Sequence, residues 1–463
     1  MIADLKPYAE YKESGLPWLG QVPGHWAVRR LKSAVTNVIE QTLEMSSDEV
    51  YVALEHVESW TGRARPQSGS NLFAGQVKRF RQGDVLFGKL RPYLAKVTRI
   101  GNDGVCAGEF FVLRPTDEAM SSAYLEHQIR AKHTIDVING STFGAKMPRA
   151  DWQFCGNLPV PLPPPDEQAA VVRFLDWANG RLERAIRAKR KVIALLNEQK
   201  QAIIHRAVTR GLDPFVPLKP SGIPWLGDIP QHWEVTALRR YWRVTDCKHL
   251  TVPFVDEGIP LASVVEVQPF SLNLNRCKRT KPEWYRLLID GDRKPRRGDL
   301  IYCRNASVGA CALVETDIDF AMGQDVCLIR SQSQNQRFLN YLLHSPFMDH
   351  QLELLLVGST FKRINISEIK ALAVIVPPRH EQNAVCEALD AGMVAYDTAI
   401  SRLEREIELL REYRIRLVAD VVTGKLDVRE AAARLPAEAP LDSVEDDADL
   451  IDETEVADEE AAV

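Results

Sequence analysis

The sequence lacks the features that would mark a membrane, secreted or catalytic protein. No apolar run approaches 18 residues and the opening MIADLKPYAE carries no apolar leader segment, so neither a membrane span nor export is expected, and the protein reads as cytoplasmic. The eight cysteines (Cys106, Cys155, Cys247, Cys277, Cys303, Cys311, Cys327 and Cys386) show no Cys-x-x-Cys spacing and no histidine-rich companion. They read as reduced structural thiols, with no metal site expected. There is no Gly-x-x-x-x-Gly-Lys-Ser/Thr loop, which excludes a phosphate-loop motor. Pro163-Pro164-Pro165-Asp166 lacks the leading amide or acid and the aromatic of an amino-methyltransferase tetrapeptide. Glu198-Gln199-Lys200 and Glu368-Ile369-Lys370 are chance matches to a nuclease triplet. No catalytic residue and no cofactor is expected in this chain.

Cations are absent from one end. From Pro436 onward there are 12 acidic residues and no Lys or Arg, which leaves residues 1–435 with 58 basic and 51 acidic side chains, a net of +7 behind the overall −5. A basic body therefore carries an acidic stretch, 431–463, expected to be disordered and solubilising, with self-inhibition by phosphate mimicry as the alternative.

What is present is organised around a long charged segment, residues 167–211, that returns as residues 381–430. With Leu182 at heptad position a, the a and d positions take Leu182, Ile186, Lys189, Ile193, Leu196, Lys200, Ile203 and Ala207. The same frame 214 residues later gives Tyr396, Ile400, Leu403, Ile407, Leu410, Arg414, Leu417 and Val421. The apolar seam Leu182, Ile186, Ile193, Leu196 and Ile203 is expected to meet Ile400, Leu403, Ile407, Leu410 and Leu417 in an antiparallel coiled coil. At 1.5 Å per residue each helix would span about 60 Å.

An internal repeat surrounds these helices. SGLPWLGQVPGHWAVRRL at residues 14–31 answers to SGIPWLGDIPQHWEVTAL at 221–238, 207 positions on. Gly83-Asp84 answers to Gly298-Asp299, each a turn into an apolar strand, and Gly140-Ser141-Thr142-Phe143 to Gly358-Ser359-Thr360-Phe361. Glu167-Gln168 answers to Glu381-Gln382 in the first turn of each helix, where a carboxylate suits the helix dipole. The paired tryptophans and His25 and His232 read as structural anchors. The expected fold class is α+β: two mixed α/β domains in tandem, 1–166 and 212–380, each followed by a long helix, related as a pseudo-twofold internal repeat.

Two similar basic globules suit an extended, quasi-repetitive target, and double-stranded DNA is the obvious one. Sequence is read at base edges, whereas phosphate contacts supply affinity. The candidates are Lys89 and Arg91 after the first Gly-Asp strand, and Lys146 and Arg149 after the first Gly-Ser-Thr-Phe. In the second half they are Arg304 and Asn305, and then Lys362 and Arg363. Arg suits guanine and Asn adenine, which makes Arg304-Asn305 the preferred pair for direct readout. A rival class is a coiled-coil protein-interaction scaffold without DNA readout, against which the basic loops speak.

The doubled Ser-Gly-x-Pro-Trp-Leu-Gly-x-x-Pro-x-His-Trp loops, the Gly-Asp strands, the Gly-Ser-Thr loops and the Pro-x-x-Glu-Gln junctions together resemble the specificity subunit of type I restriction-modification systems, over residues 12 to 430. The resemblance implies that the globules are target recognition domains reading a bipartite asymmetric site and that the helices are spacers. It further implies partners: two modification (methyltransferase) subunits using S-adenosylmethionine, and restriction (motor-nuclease) subunits using ATP and Mg2+. The chain itself would be a non-catalytic part of that enzyme complex.

Overall fold

The computed structural model describes residues 5–69, 72–116, 118–144, 147–356 and 363–436. Two compact units emerge, one of residues 1–188 with 405–463, the other of residues 189–404. The acidic stretch from residue 437 lies outside the described residues.

Each unit is built on the same framework. In the first, the strands run in the order Val35–Val38, Phe110–Pro115, Val85–Gly88 and Val97–Arg99, all antiparallel. In the second, Arg243–Asp246, Val326–Arg330, Leu300–Cys303 and Cys311–Leu313 repeat that order and sense. The central strands are buried on both faces, which is why Val85-Leu86-Phe87 and Leu300-Ile301-Tyr302 read as continuous apolar runs. The Gly-Asp turn before each is fastened from inside. Gly83 (φ 87°) and Gly298 (φ 91°) take the left-handed conformation. Asp84 then accepts from the Arg81 backbone N–H and from the Arg114 guanidinium at 2.6 and 2.8 Å. Asp299 repeats this with Arg296 and Arg330.

The long helices span Pro165–Arg210 and Arg379–Val422. They are antiparallel in each unit: Glu183 pairs with Arg414 at 3.1 Å in the first, and Lys200 with Asp397 in the second. Leu182, Ile186, Ile400, Ile407 and Leu417 are buried on the seam, and Ile193, Leu196, Leu403 and Leu410 are half-buried. Ile203 departs from the heptad expectation. It is 38% exposed, and Ile204, at 2%, takes the inward place. A straight helix drifts about 20° per heptad against a strict seven-residue repeat, so three heptads after Leu182 the seam has moved one residue on.

The two-tryptophan repeat has a structural cause. Trp26 and Trp233 are completely buried, and their indole N–H groups reach the first turns of the long helices. Glu167 Oε2 accepts from Trp26 Nε1 at 2.8 Å, and its Oε1 lies 2.6 Å from His25 Nε2. Glu381 does the same with Trp233 at 2.9 Å and His232 at 2.6 Å. The neighbouring glutamines spend their amides on the loops: Gln168 on the backbone of Ser121, Ala119 and Pro163, and Gln382 on the backbone of Asn335 and Pro377 and the side chain of Gln334. Glu-Gln is thus a staple joining the helix start to the globule. A carboxylate, an acceptor on both oxygens, is the group that can receive two donors from opposite sides.

The first unit adds cover that the described residues of the second do not supply. Tyr8 donates to Glu167 at 3.1 Å and Arg429 reaches it at 3.3 Å, with the Arg429 guanidinium 4.9 Å over the Tyr8 ring. Burial and the adjacent carboxylate push the Tyr8 phenol well above its ordinary pKa, so it stays a donor. Lys6 and Asp427 form a β-bridge, and the short helix Arg429–Ala433 continues the packing through Ala431, Ala432 and Leu435. At the corresponding place in the second unit the chain continues through a turn at Asp213-Pro214-Phe215, and Phe215 is 89% exposed. Among the described residues no helix is long and apolar enough to cross a membrane.

Candidate nucleic-acid interface

The loop that follows each Gly-Asp strand is paired to the segment that follows each Gly-Ser-Thr-Phe. In the first unit Leu90 bridges Arg149, Ala150 N–H donates to the Lys89 carbonyl at 2.8 Å, and Lys89 N–H donates to the Glu109 carbonyl at 2.8 Å. In the second, Asn305 bridges Arg363, Ile364 N–H donates to the Arg304 carbonyl at 2.9 Å, and Arg304 N–H donates to the Asp325 carbonyl at 2.8 Å. Backbone bonding therefore makes Lys89 correspond to Arg304, Leu90 to Asn305, Arg91 to Ala306 and Arg149 to Arg363. Arg91 (φ 48°) and Ala306 (φ 56°) both adopt the left-handed conformation that the turn demands.

These equivalences sort the basic candidates by what they can reach. Lys89 is half-buried and donates to the Gly108 carbonyl at 2.6 Å. Burial, then the cations of Lys78 and Arg149, lower its pKa. Arg304, at 3% exposure, is buried with its Nη2 3.5 Å from Asp246 Oδ1 and 3.5 Å from His249 Nε2. Both side chains tie the loop to the neighbouring turn. Asn305 is half-buried, its Oδ1 accepting from Ala306 N–H at 2.9 Å, while Arg149 and Arg363 are exposed. Arg91 is half-buried and donates its N–H to the Pro148 carbonyl at 2.8 Å. Lys146 and Lys362 lie outside the described residues. The loops thus bring Lys89, Arg91 and Arg149 to one edge, and Arg304, Asn305 and Arg363 to the corresponding edge of the other unit.

Two features of these edges escaped sequence reasoning. Asp246, Cys247 and His249 gather beside Arg304, with His249 Nε2 2.9 Å from Asp246 Oδ2 and Nδ1 3.6 Å from the Cys247 sulfur. Their polar atoms are engaged with one another and with Arg304. Phe143 and Met147 stand exposed at 78% and 58% on the first edge. The motif signalled that a loop was there, but gave no sign of how far its apolar side chains stand out.

Comparison with known proteins gives this fold a class. A chain solved in work on the structural basis of complex assembly and conformational transition of the type I R-M system superposes with a TM-score of 0.64 at 18% identity, covering 88% of this chain and 99% of that one. The two chains share a fold. The family model of the type I restriction modification DNA specificity domain matches residues 283–409. The type I restriction enzyme MjaVIII specificity subunit of Methanocaldococcus jannaschii is 24% identical over 344 residues, 71% of this chain and 76% of that protein. The EcoBI specificity subunit of Escherichia coli is 22% identical over 303 residues, 63% of each. The chain is thus similar to the specificity subunits of type I restriction enzymes.

Proposed function

We propose that this chain is the DNA sequence-specificity subunit of a type I restriction-modification complex, with each unit reading one half of a bipartite asymmetric site. The observation that supports this most directly is the pair of edges built from the same backbone bonds but different side chains: Lys89, Leu90, Arg91 and Arg149 in one, Arg304, Asn305, Ala306 and Arg363 in the other. Equal scaffolds carrying unequal side chains suit two half-sites of different sequence. In this reading Arg149 and Arg363 touch DNA, Asn305 stands next to a base edge, and Lys89 and Arg304 set the loops. Lys146 and Lys362 add positive charge to the same loops. The long helices dock two modification subunits, and restriction subunits join for cleavage. S-adenosylmethionine belongs to the modification subunit, and ATP and Mg2+ to the restriction subunit. The complex works in the cytoplasm.

The test is a map of methylated bases in a methylation-free host expressing this chain with its modification subunit, set against the modification subunit alone. A bipartite motif with a fixed unread gap, present only with this chain, is the expected result. Soluble, associated proteins that leave no new mark would refute the reading.

A further inference from the structure

The first edge carries two apolar side chains that the basic candidates leave unexplained. Phe143 and Met147 are 78% and 58% exposed. They do not stand out for want of structure. Thr142 Oγ1 donates to the Asn139 carbonyl at 2.8 Å before them, Arg149 N–H donates to the Phe143 carbonyl at 3.2 Å, and Arg91 N–H donates to the Pro148 carbonyl at 2.8 Å behind them. The described residues on either side of 145–146 are therefore fastened to the globule's backbone.

Exposed apolar side chains suggest a partner, and the surroundings identify its chemistry. A protein-docking surface is a contiguous apolar patch of several hundred Å2. Among the described residues of this loop Phe143 and Met147 are the exposed large apolar side chains, and Arg149, Arg91 and Lys89 belong to the backbone segments bridged to it. A ligand that is anionic outside and apolar within matches this tip. That is a nucleic-acid base step flanked by its phosphates, since thymine methyls and partly unstacked base faces accept Phe and Met contacts.

We propose that Phe143 and Met147 are specificity-determining residues that press against the apolar surface of a base step in the first half-site, with Arg149 holding the adjacent phosphate. This rests on the DNA-reading function above. The second unit supplies Asn305, a polar side chain, where the first supplies Leu90, so the two half-sites are read with different chemistry.

The experiment uses the full chain with its modification subunit in the methylation-free host, comparing the natural protein with Phe143→Ala, Met147→Ala and Arg149→Ala. Thermal unfolding of each variant checks that it folds. With Phe143→Ala, methylation at sites altered in one or two adjacent positions of one half-site should rise roughly three- to tenfold, the equivalent of losing one or two apolar carbon contacts. The other half-site should be unchanged. Arg149→Ala should weaken binding to all sites and lower the salt-dependence slope by about 1. An unaltered motif and rate for Phe143→Ala and Met147→Ala would overturn the inference, as would equal relaxation in both halves. Loss of the modification subunit from the complex would also overturn it, by assigning the tip to a protein contact. If the natural protein yields no bipartite motif, the DNA-reading function itself fails.

Discussion

Replacing Glu167 by alanine strips the acceptor from two buried donors at once, the Trp26 indole at 2.8 Å and the Tyr8 hydroxyl at 3.1 Å. A buried donor left without a partner costs about 1–3 kcal/mol, so the pair should cost roughly 4 kcal/mol. Glu381→Ala orphans one such donor, Trp233 at 2.9 Å, and its carboxylate side chain is 30% exposed against 6% for Glu167, which lets water replace part of the loss. The expected cost there is about 1–2 kcal/mol. Glutamine separates the two sites further. At 381 its carbonyl can serve Trp233 while its amide faces His232, whose Nε2 can accept after a tautomer change. At 167 each oxygen serves two donors, with Arg429 beside His25 and Tyr8 beside Trp26, so an amide group meets a donor whichever way it turns. Glu381→Gln should therefore be nearly neutral, and Glu167→Gln should lose about 1–2 kcal/mol. Urea unfolding followed by tryptophan fluorescence, with limited proteolysis fragments assigned to 1–188 or 189–404, measures both. A larger loss from either substitution at 381 than from its counterpart at 167 would refute the account of the staple.

His133 stacks on Trp18 at 5.6 Å with both ring nitrogens shielded and lacking hydrogen-bond partners. Burial first, then the Lys425 cation, press its pKa down from 6.5 to about 4, so the unfolded chain protonates first and stability should fall as pH drops from 6.5 toward 4. His133→Phe should keep the stacking and flatten that loss in melting temperatures taken at pH 7 and at pH 4.5. Arg304→Ala removes a buried guanidinium from a pair whose carboxylate, Asp246, is 29% exposed, and should lower stability by about 1–2 kcal/mol in thermal melts, whereas Arg363→Ala should leave the melt unchanged and weaken binding to the second half-site. At Gly424 (φ 75°) a Cβ would lie 2.3 Å from Pro23 Cδ, while at Gly20 (φ 67°) it would meet open space. Gly20→Ala should cost about 1 kcal/mol and Gly424→Ala distinctly more, by denaturant titration.

The repeat, the long helices and the strand after each Gly-Asp could be read in the chain because each is written in local periodicity or in identical residues. Their purpose could not. His25-Trp26 and Glu167 stand 141 residues apart in the nearer pair, and nothing in either motif names the other. Arg304 shows why the reading edges were harder still. A cation just past a strand looks solvent-facing, and the carboxylate that engages it, Asp246, comes from a strand 58 residues upstream. The exposed slip at Ile203 has a different origin, since a heptad count assumes a supercoil tight enough to hold 3.5 residues per turn.

The meeting of Lys6 with Asp427 sets an order of events during synthesis. Residues 189–404 form a continuous stretch of chain and can complete their unit while the ribosome is still translating, but the first unit needs residues 405–435 to close its core. Nearly half of the polypeptide must wait, half-made, for its own last helix. A message truncated beyond residue 404 would release a finished second unit attached to an unfinished first one, its core lacking Leu417, Val418, Val421 and Val422, a natural target for chaperones and proteases.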